Sequence, residues 1–169
     1  MNDKIFTERY SVRSFSSQKV DEKILNEILD IVRLAPTALN HQPYSIYVAR
    51  TEDGLKKVEK SLAPNYGSTT ILIVCSDRNN SWENRYSKQE NILQDIGIIM
   101  ATILYASKSK GVDSCCVGNF NPELLKAALN LADGIYPECL IYLGYPDESC
   151  KPSERHYQRR QIDEFVKYI

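Results

Sequence analysis

The sequence predicts one folded domain of mixed class, with helices and strands interspersed along its length. Three observations predict it. Apolar residues recur at helical spacing in two stretches, near residues 20–32 and 90–109. Short apolar or β-branched runs stand among them, at residues 45–49, 71–75, 112–117 and 139–143. The 169 residues contain no repeat, linker or low-complexity tract, so no boundary divides residues 1–169. This pattern alone leaves parallel and antiparallel pairing open.

The elements follow in order. Asp3 is placed to cap a short helix to about Arg9. Val20, Ile24, Ile28 and Val32 recur every four residues, with Leu25 and Leu29 beside them, which predicts an amphipathic helix. Asp21 and Glu22 suit its positive N-terminal end. Pro36 ends it, because the residue before proline disfavours helical backbone. Residues 45–49 predict a strand, 51–54 a turn, 55–62 a helix, and 71–75 a buried strand. Residues 76–88 are polar and predict a loop. A long helix over about 90–109 carries Ile92, Ile96, Ile99, Ile103 and Ala106 on one face. Apolar residues nearly encircle it at 96–104, which places it centrally. Gly111 stops it. A strand over 112–117, a helix opened by Pro122 to about Leu131 and a strand over 139–143 complete the series. The closing residues carry no assigned element.

Charge and cysteine content remove several function classes. The chain has 21 Lys+Arg and 22 Asp+Glu, a net charge of −1, which argues against nucleic acid as a partner. At 43% hydrophobic and 25% charged residues it is an ordinary globular composition. No apolar run approaches the ~18 residues of a membrane span. Residues 1–10 are polar and mixed in charge, so no secretory signal is visible and a cytoplasmic location is expected. Cys75, Cys115, Cys116, Cys139 and Cys150 form an odd set without a C-x-x-C pair, which predicts free structural thiols. Adjacent Cys115 and Cys116 would point to opposite faces of a strand. One asymmetry stands out in residues 150–169. Lys151, Arg155, Arg159, Arg160 and Lys167 face only Glu154, Asp163 and Glu164, a basic excess suited to a small anion.

The usual tools of self-contained catalysis are thin. There is no G-x-G-x-x-G, P-loop, H-E-x-x-H or G-x-S-x-G, and His41 and His156 are the only histidines. No metal-ligand spacing is visible, so no metal site is expected. Chemistry, if any, falls to a cofactor. Two stretches carry positive signals. Arg9, Ser11 and Arg13 alternate, so in extended backbone they share one face and offer a phosphate two guanidiniums and a hydroxyl. Residues 35–44, Ala-Pro-Thr-Ala-Leu-Asn-His-Gln-Pro-Tyr, form a proline-stiffened loop whose Asn40 and Gln42 amides both donate and accept. Alone, the first stretch reads more readily as a solvated extended segment, and the second equally as an ordinary turn.

Together, at this spacing, the two stretches resemble the FMN-dependent nitroreductase-like flavoproteins. Their early motif is Arg-x-Ser-x-Arg, followed about one helix later by an Ala/Ser-Pro-Ser/Thr-x-x-Asn-x-Gln-Pro-aromatic loop. The resemblance continues through residues 94–97, 111–120, 140–146 and 159–166, nearly the whole chain. Tyr44 and Cys116 stand where the family often has Trp, and Gln161 where Pro is common.

The resemblance implies an α+β fold, a mainly antiparallel sheet sandwiched by helices. It implies a homodimer with the long helix at its interface and FMN bound there. Arg9, Tyr10, Ser11 and Arg13 would serve the phosphate end. Arg159 and Arg160 would return to it, with Arg155 a competitor. Pro36, Thr37, Asn40 and Gln42 would approach the flavin of the other subunit. Val117, Gly118 and Asn119 would lie near flavin N5, and residues 150–169 would reach toward the partner. The implied activity is hydride transfer from NAD(P)H through N5 to a small acceptor such as a nitroaromatic or quinone, in two half-reactions at one site. No protein side chain need be catalytic. Dehalogenation or flavin fragmentation on the same fold, and a non-catalytic flavin-binding or sensing role, stay open. Residues 76–88 stand as a candidate lid, and His41 as a candidate proton donor.

Overall fold

The computed structural model describes residues 3–169. Helices α1 (Lys4–Glu8) and α2 (Glu22–Val32) come first, followed by strand β1 (Tyr44–Ala49). Next are α3 (Glu52–Glu59), β2 (Thr70–Asp77), the long α4 (Ile92–Ser109) and β3 (Asp113–Val117). Helix α5 (Pro122–Leu129), strand β4 (Ile135–Gly144) and a short α6 (Ile162–Phe165) complete the chain. The four strands form one antiparallel sheet in the order β1-β2-β4-β3. The chain is thus α+β.

The sheet has a core on each face. On one, Leu72, Val74, Cys139 and Ile141 pack with Leu25 and Ile28 of α2 and Ile96, Ile99 and Ile103 of α4. On the other, Ile71, Ile73, Leu140 and Tyr142 pack with Val58 of α3, Leu125 of α5, Val12 and Phe15. Strand β2 lies between two neighbours, and its residues are buried up to Ser76. This is why its sequence is continuously apolar rather than alternating. Among the described residues no helix is long and apolar enough to cross a membrane.

Several local expectations are corrected. Asp3 makes no side-chain cap; its backbone carbonyl instead accepts from Phe6 and Thr7. The predicted turn over 51–54 is the first turn of α3, because the Thr51 hydroxyl accepts the Gly54 N–H and starts the helix. Ser76, expected in a loop, lies in β2. Strand β4 begins at Ile135, earlier than expected. The β2–β4 register shifts between Val74 and Cys75, so that Val74 faces Cys139 and Cys75 faces Pro137. Glu138 is the extra residue of a bulge, which lets a proline sit in a strand. Gly111, at φ +72, follows α4 in left-handed backbone.

Candidate functional site

Arg9 leaves α1 in extended backbone, φ −69 and ψ 125. The segment then runs along the outer edge of β3. Ser11 bridges Ser114 in parallel fashion, and the Val12 N–H donates to the Ser114 carbonyl at 3.1 Å. Val12 is fully buried, while Arg9, Ser11 and Arg13 line a cavity of about 190 Å³. Farther along, Phe15 bridges Pro146, and its N–H donates to Tyr66 O at 2.9 Å. Phe15 lies across Gly144, where a Cβ would come within 2.9 Å of its ring.

The tail closes the same cavity. Ser153, Arg155, His156 and Arg159 supply its remaining lining, with Tyr10. A turn of 3-10 helix, Glu154–Tyr157, carries Arg155 and His156, with Ser153 just before it and Arg159 just after. Tyr10 ties tail to motif: its hydroxyl donates to Cys150 O at 3.4 Å, and its ring meets His156 edge-on at 6.2 Å. Burial first of all pushes the Tyr10 hydroxyl up to about 12, so it remains a protonated donor. Among the described residues, none of Arg9, Arg13, Arg155 and Arg159 has a carboxylate within ion-pair distance. Four guanidiniums without a counter-charge make an anion site, and their planar forks match the oxygens of a phosphate. Arg160 lies elsewhere, its guanidinium 5.4 Å over the Phe165 ring, and does not line the cavity.

The loop after α2 is a separate feature. Leu39, Asn40 and Gln42 have φ of 49, 57 and 51, so three non-glycine residues adopt left-handed backbone. Such strain persists where its surroundings enforce it. The Thr37 hydroxyl accepts the Gln42 N–H at 2.9 Å, and Asp95 Oδ1 accepts the Ala38 N–H at 3.0 Å. Pro36, Asn40 and Gln42 are exposed and Thr37 half-buried, and none of them lines the arginine cavity. The His41 ring nitrogen Nδ1 is 3.2 Å from Asn80 O, and Asn80 Nδ2 donates back to His41 O at 2.7 Å. Asp95 lies in the 94–97 stretch of the resemblance, but the sequence reading gave it no role. The available signal was a lone carboxylate on the buried stripe of an apolar helix, where it is 2% exposed.

Val117 ends β3 in the core; Gly118 and Asn119 follow it, exposed. A Cβ on Gly118 would meet nothing within 4 Å, so the backbone stands open to a flat ligand. The loop named as a candidate lid folds on itself: Glu83 bridges Glu90, and the Asn91 N–H donates to Trp82 O at 2.9 Å. Trp82 is half-buried, whereas Arg85 and Tyr86 are exposed and stacked on each other at 4.5 Å.

Comparison with known proteins gives consistent matches. The family model of the nitroreductase family matches residues 6–67 and 62–145. A crystal structure of a nitroreductase family protein from Clostridium difficile 630 superposes with a TM-score of 0.91 at 29% identity, covering 99% of this chain and 98% of that one. An Archaeoglobus fulgidus protein provisionally named NADH dehydrogenase/NAD(P)H nitroreductase is 28% identical, over 85% of this chain and 84% of its own. The FMN reductase [NAD(P)H] of Bacillus subtilis is 24% identical, over 88% of this chain and 67% of its own.

Proposed function

Because the chain belongs to the nitroreductase family, we propose that it is an FMN-dependent NAD(P)H oxidoreductase acting on a small acceptor such as a nitroaromatic or quinone. The observation that carries this reading is the cavity shared by Arg9, Arg13, Arg155 and Arg159. A phosphate monoester brings two negative charges and three acceptor oxygens, and these donors fit it. The names of relatives support the redox assignment, FMN reductase [NAD(P)H] among them.

FMN, when bound, would supply the redox chemistry, hydride transfer between NAD(P)H and a small acceptor in two half-reactions at one site. The chain's residues bind and orient. Arg9, Arg13 and Arg159 hold the phosphate charge, and Arg155 joins them. Ser11 donates its hydroxyl, and half-buried Tyr10 keeps the tail against the motif. The Val117–Gly118–Asn119 backbone offers an unobstructed edge for the flavin ring. No side chain acts as nucleophile.

The working unit is a homodimer. Leu93, Ile98 and Tyr105 leave an apolar face on α4 exposed, and the Phe6 ring lies tilted against Tyr105 at 4.8 Å. A second copy covers this face, and the Pro36, Thr37, Asn40 and Gln42 loop serves the flavin of that copy. Residues 150–169 extend toward the partner.

The deciding experiment is a visible spectrum of the purified protein with FMN, followed by separate anaerobic additions of NADH and NADPH. Bleaching of the flavin band, then recovery on adding a nitroaromatic or quinone, is expected. A protein that takes up no FMN overturns the reading. Bound FMN that neither nucleotide bleaches places the chain among binding or sensing proteins.

A further inference from the structure

We propose that Cys116 and Cys139 form a redox-active dithiol that hydrogen peroxide converts to an internal disulfide, with Cys116 the attacking sulfur and Cys139 the resolving one. The proposal does not depend on the flavin reading.

The geometry starts from strand pairing. Cys116 on β3 faces Ile141 on β4, and Cys139 stands two residues earlier on β4. The two side chains share one face of the sheet, and their sulfurs are 3.2 Å apart. A disulfide bond is about 2.05 Å long, so bonding requires the sulfurs to close by only about 1.2 Å. The remaining thiols are poorly placed. Cys115 and Cys75 are buried in the core on the opposite face of the sheet, and Cys150 packs against that core. The alternation that separates Cys115 from Cys116 is what leaves Cys116 to Cys139.

The two sulfurs also differ in access and charge. Cys116 is half-buried, whereas Cys139 is 1% exposed. Cys139 has two acceptors for its proton, the Cys116 sulfur and Leu140 O at 3.3 Å. The hydrogen bond from Cys139, helped by the charge of Arg9, holds the Cys116 thiol below its ordinary range against the effect of burial. The same hydrogen bond and burial push Cys139 up. The more accessible sulfur is therefore the one more readily deprotonated to the thiolate, the reactive form.

The chemistry balances with peroxide as oxidant. The Cys116 thiolate attacks one peroxide oxygen, the O–O bond breaks, and hydroxide leaves, giving a sulfenic acid. Cys139 loses its proton and attacks the Cys116 sulfur; the S–S bond forms, the S–O bond breaks, and water leaves. In net terms two thiols and one peroxide give one disulfide and two waters.

The test is mass spectrometry on the purified full-length protein with excess FMN, treated with hydrogen peroxide and then alkylated. A species lighter by two hydrogens is expected, with fragment ions placing the bridge between Cys116 and Cys139, and reversal by dithiothreitol. The Cys139→Ala variant should form no bridge and instead yield a dimedone adduct on Cys116. Cys116→Ser should give neither product. A bridge to Cys115 or Cys150, a disulfide-linked dimer as the main product, or full alkylation of Cys116 and Cys139 after peroxide overturns the proposal. Circular dichroism of each variant confirms that it is folded, and a dimedone adduct on Cys116 in Cys139→Ala requires no intact bridge.

Discussion

Asp95 and Ala38 are 57 residues apart and hydrogen-bonded: the buried carboxylate Oδ1 accepts the Ala38 N–H at 3.0 Å. The same oxygen accepts from Asn91 Nδ2 at 3.1 Å. One residue of the long helix thereby fixes the loop that holds three non-glycine residues in left-handed backbone. The other oxygen, Oδ2, is buried with no partner within the chain among the described residues. A buried polar group with open hydrogen-bonding capacity is costly, so the side chain's task here is positional.

Replacing Asp95 with Ala leaves the Ala38 N–H without its acceptor and should lower stability by about 1–3 kcal/mol. Urea unfolding measures this. Hydrogen exchange should also accelerate at the amides of Ala38 and Gln42 while Ile99 and Ile103, deep in the same helix, stay protected. Equal exchange at the loop amides would show that Asp95 does not hold the loop in solution.

Arg13→Ala should weaken FMN binding by about 1.5–3 kcal/mol, the range for a hydrogen bond to a charged group. That corresponds to roughly 10- to 150-fold in Kd. Arg159→Ala should also weaken it, whereas Arg160→Ala should change it little, because Arg160 rests on Phe165 rather than in the cavity. Fluorescence titration of FMN distinguishes them. A loss on Arg160→Ala equal to that on Arg13→Ala would remove the distinction between the two tail arginines.

What could be seen in the sequence follows from which forces are local. The stripe Ile92, Ile96, Ile99, Ile103 and Ala106 is buried throughout, because a 3.6-residue period on an apolar helix has one way to meet a core. The shared projection of Arg9, Ser11 and Arg13 is likewise a local consequence of extended backbone. The start of β4 was hidden because Pro137 and the Glu138 bulge break the strand pattern, and both depend on pairing with β2. The first turn of α3 was hidden because Thr-Glu-Asp-Gly has the composition of a turn, and only the Thr51–Gly54 contact makes it a helix start. Which tail arginine faces the cavity was equally out of reach. A single 3-10 turn and an irregular tail impose no period: Arg155 lies in the turn whose His156 meets Tyr10, and the Arg159 guanidinium is turned by its hydrogen bonds to the Arg155 and Gln158 carbonyls.

Alkaline pH should destabilise the fold. Burial pushes the Cys75 thiol from 9.0 to about 12, and the Tyr10 and Tyr142 hydroxyls from 10.0 to about 12. All three hold their proton more tightly in the folded chain than in the unfolded one. The folded state therefore binds more protons above pH 9, and unfolding free energy falls as pH rises. Their contribution is complete below the unfolded values and is lost as pH climbs through the folded ones. Urea midpoints should be level near pH 8 and drop progressively from about pH 9 toward 12. Cys75→Ala should make the onset of that drop shallower. A midpoint that stays flat to pH 11 would mean that these groups titrate normally in the fold.

Gly144→Ala tests whether the sheet positions the anion site. The added methyl would stand 2.9 Å from Phe15 Cδ1, closer than carbon atoms tolerate, so Phe15 must shift. Phe15 is 7% exposed and shares its strand-like segment with Arg13, whose neighbour Ser14 donates to Asp147. Overpacking of this kind costs about 1–3 kcal/mol. The substitution should thus lower the melting temperature and weaken FMN binding together, although Gly144 does not line the cavity. Phe15→Leu in the Gly144→Ala background relieves the clash and should recover both. A lower melting temperature with unchanged FMN affinity would show that the arginines keep their place independently of Phe15, through the Ser11–Ser114 bridge alone.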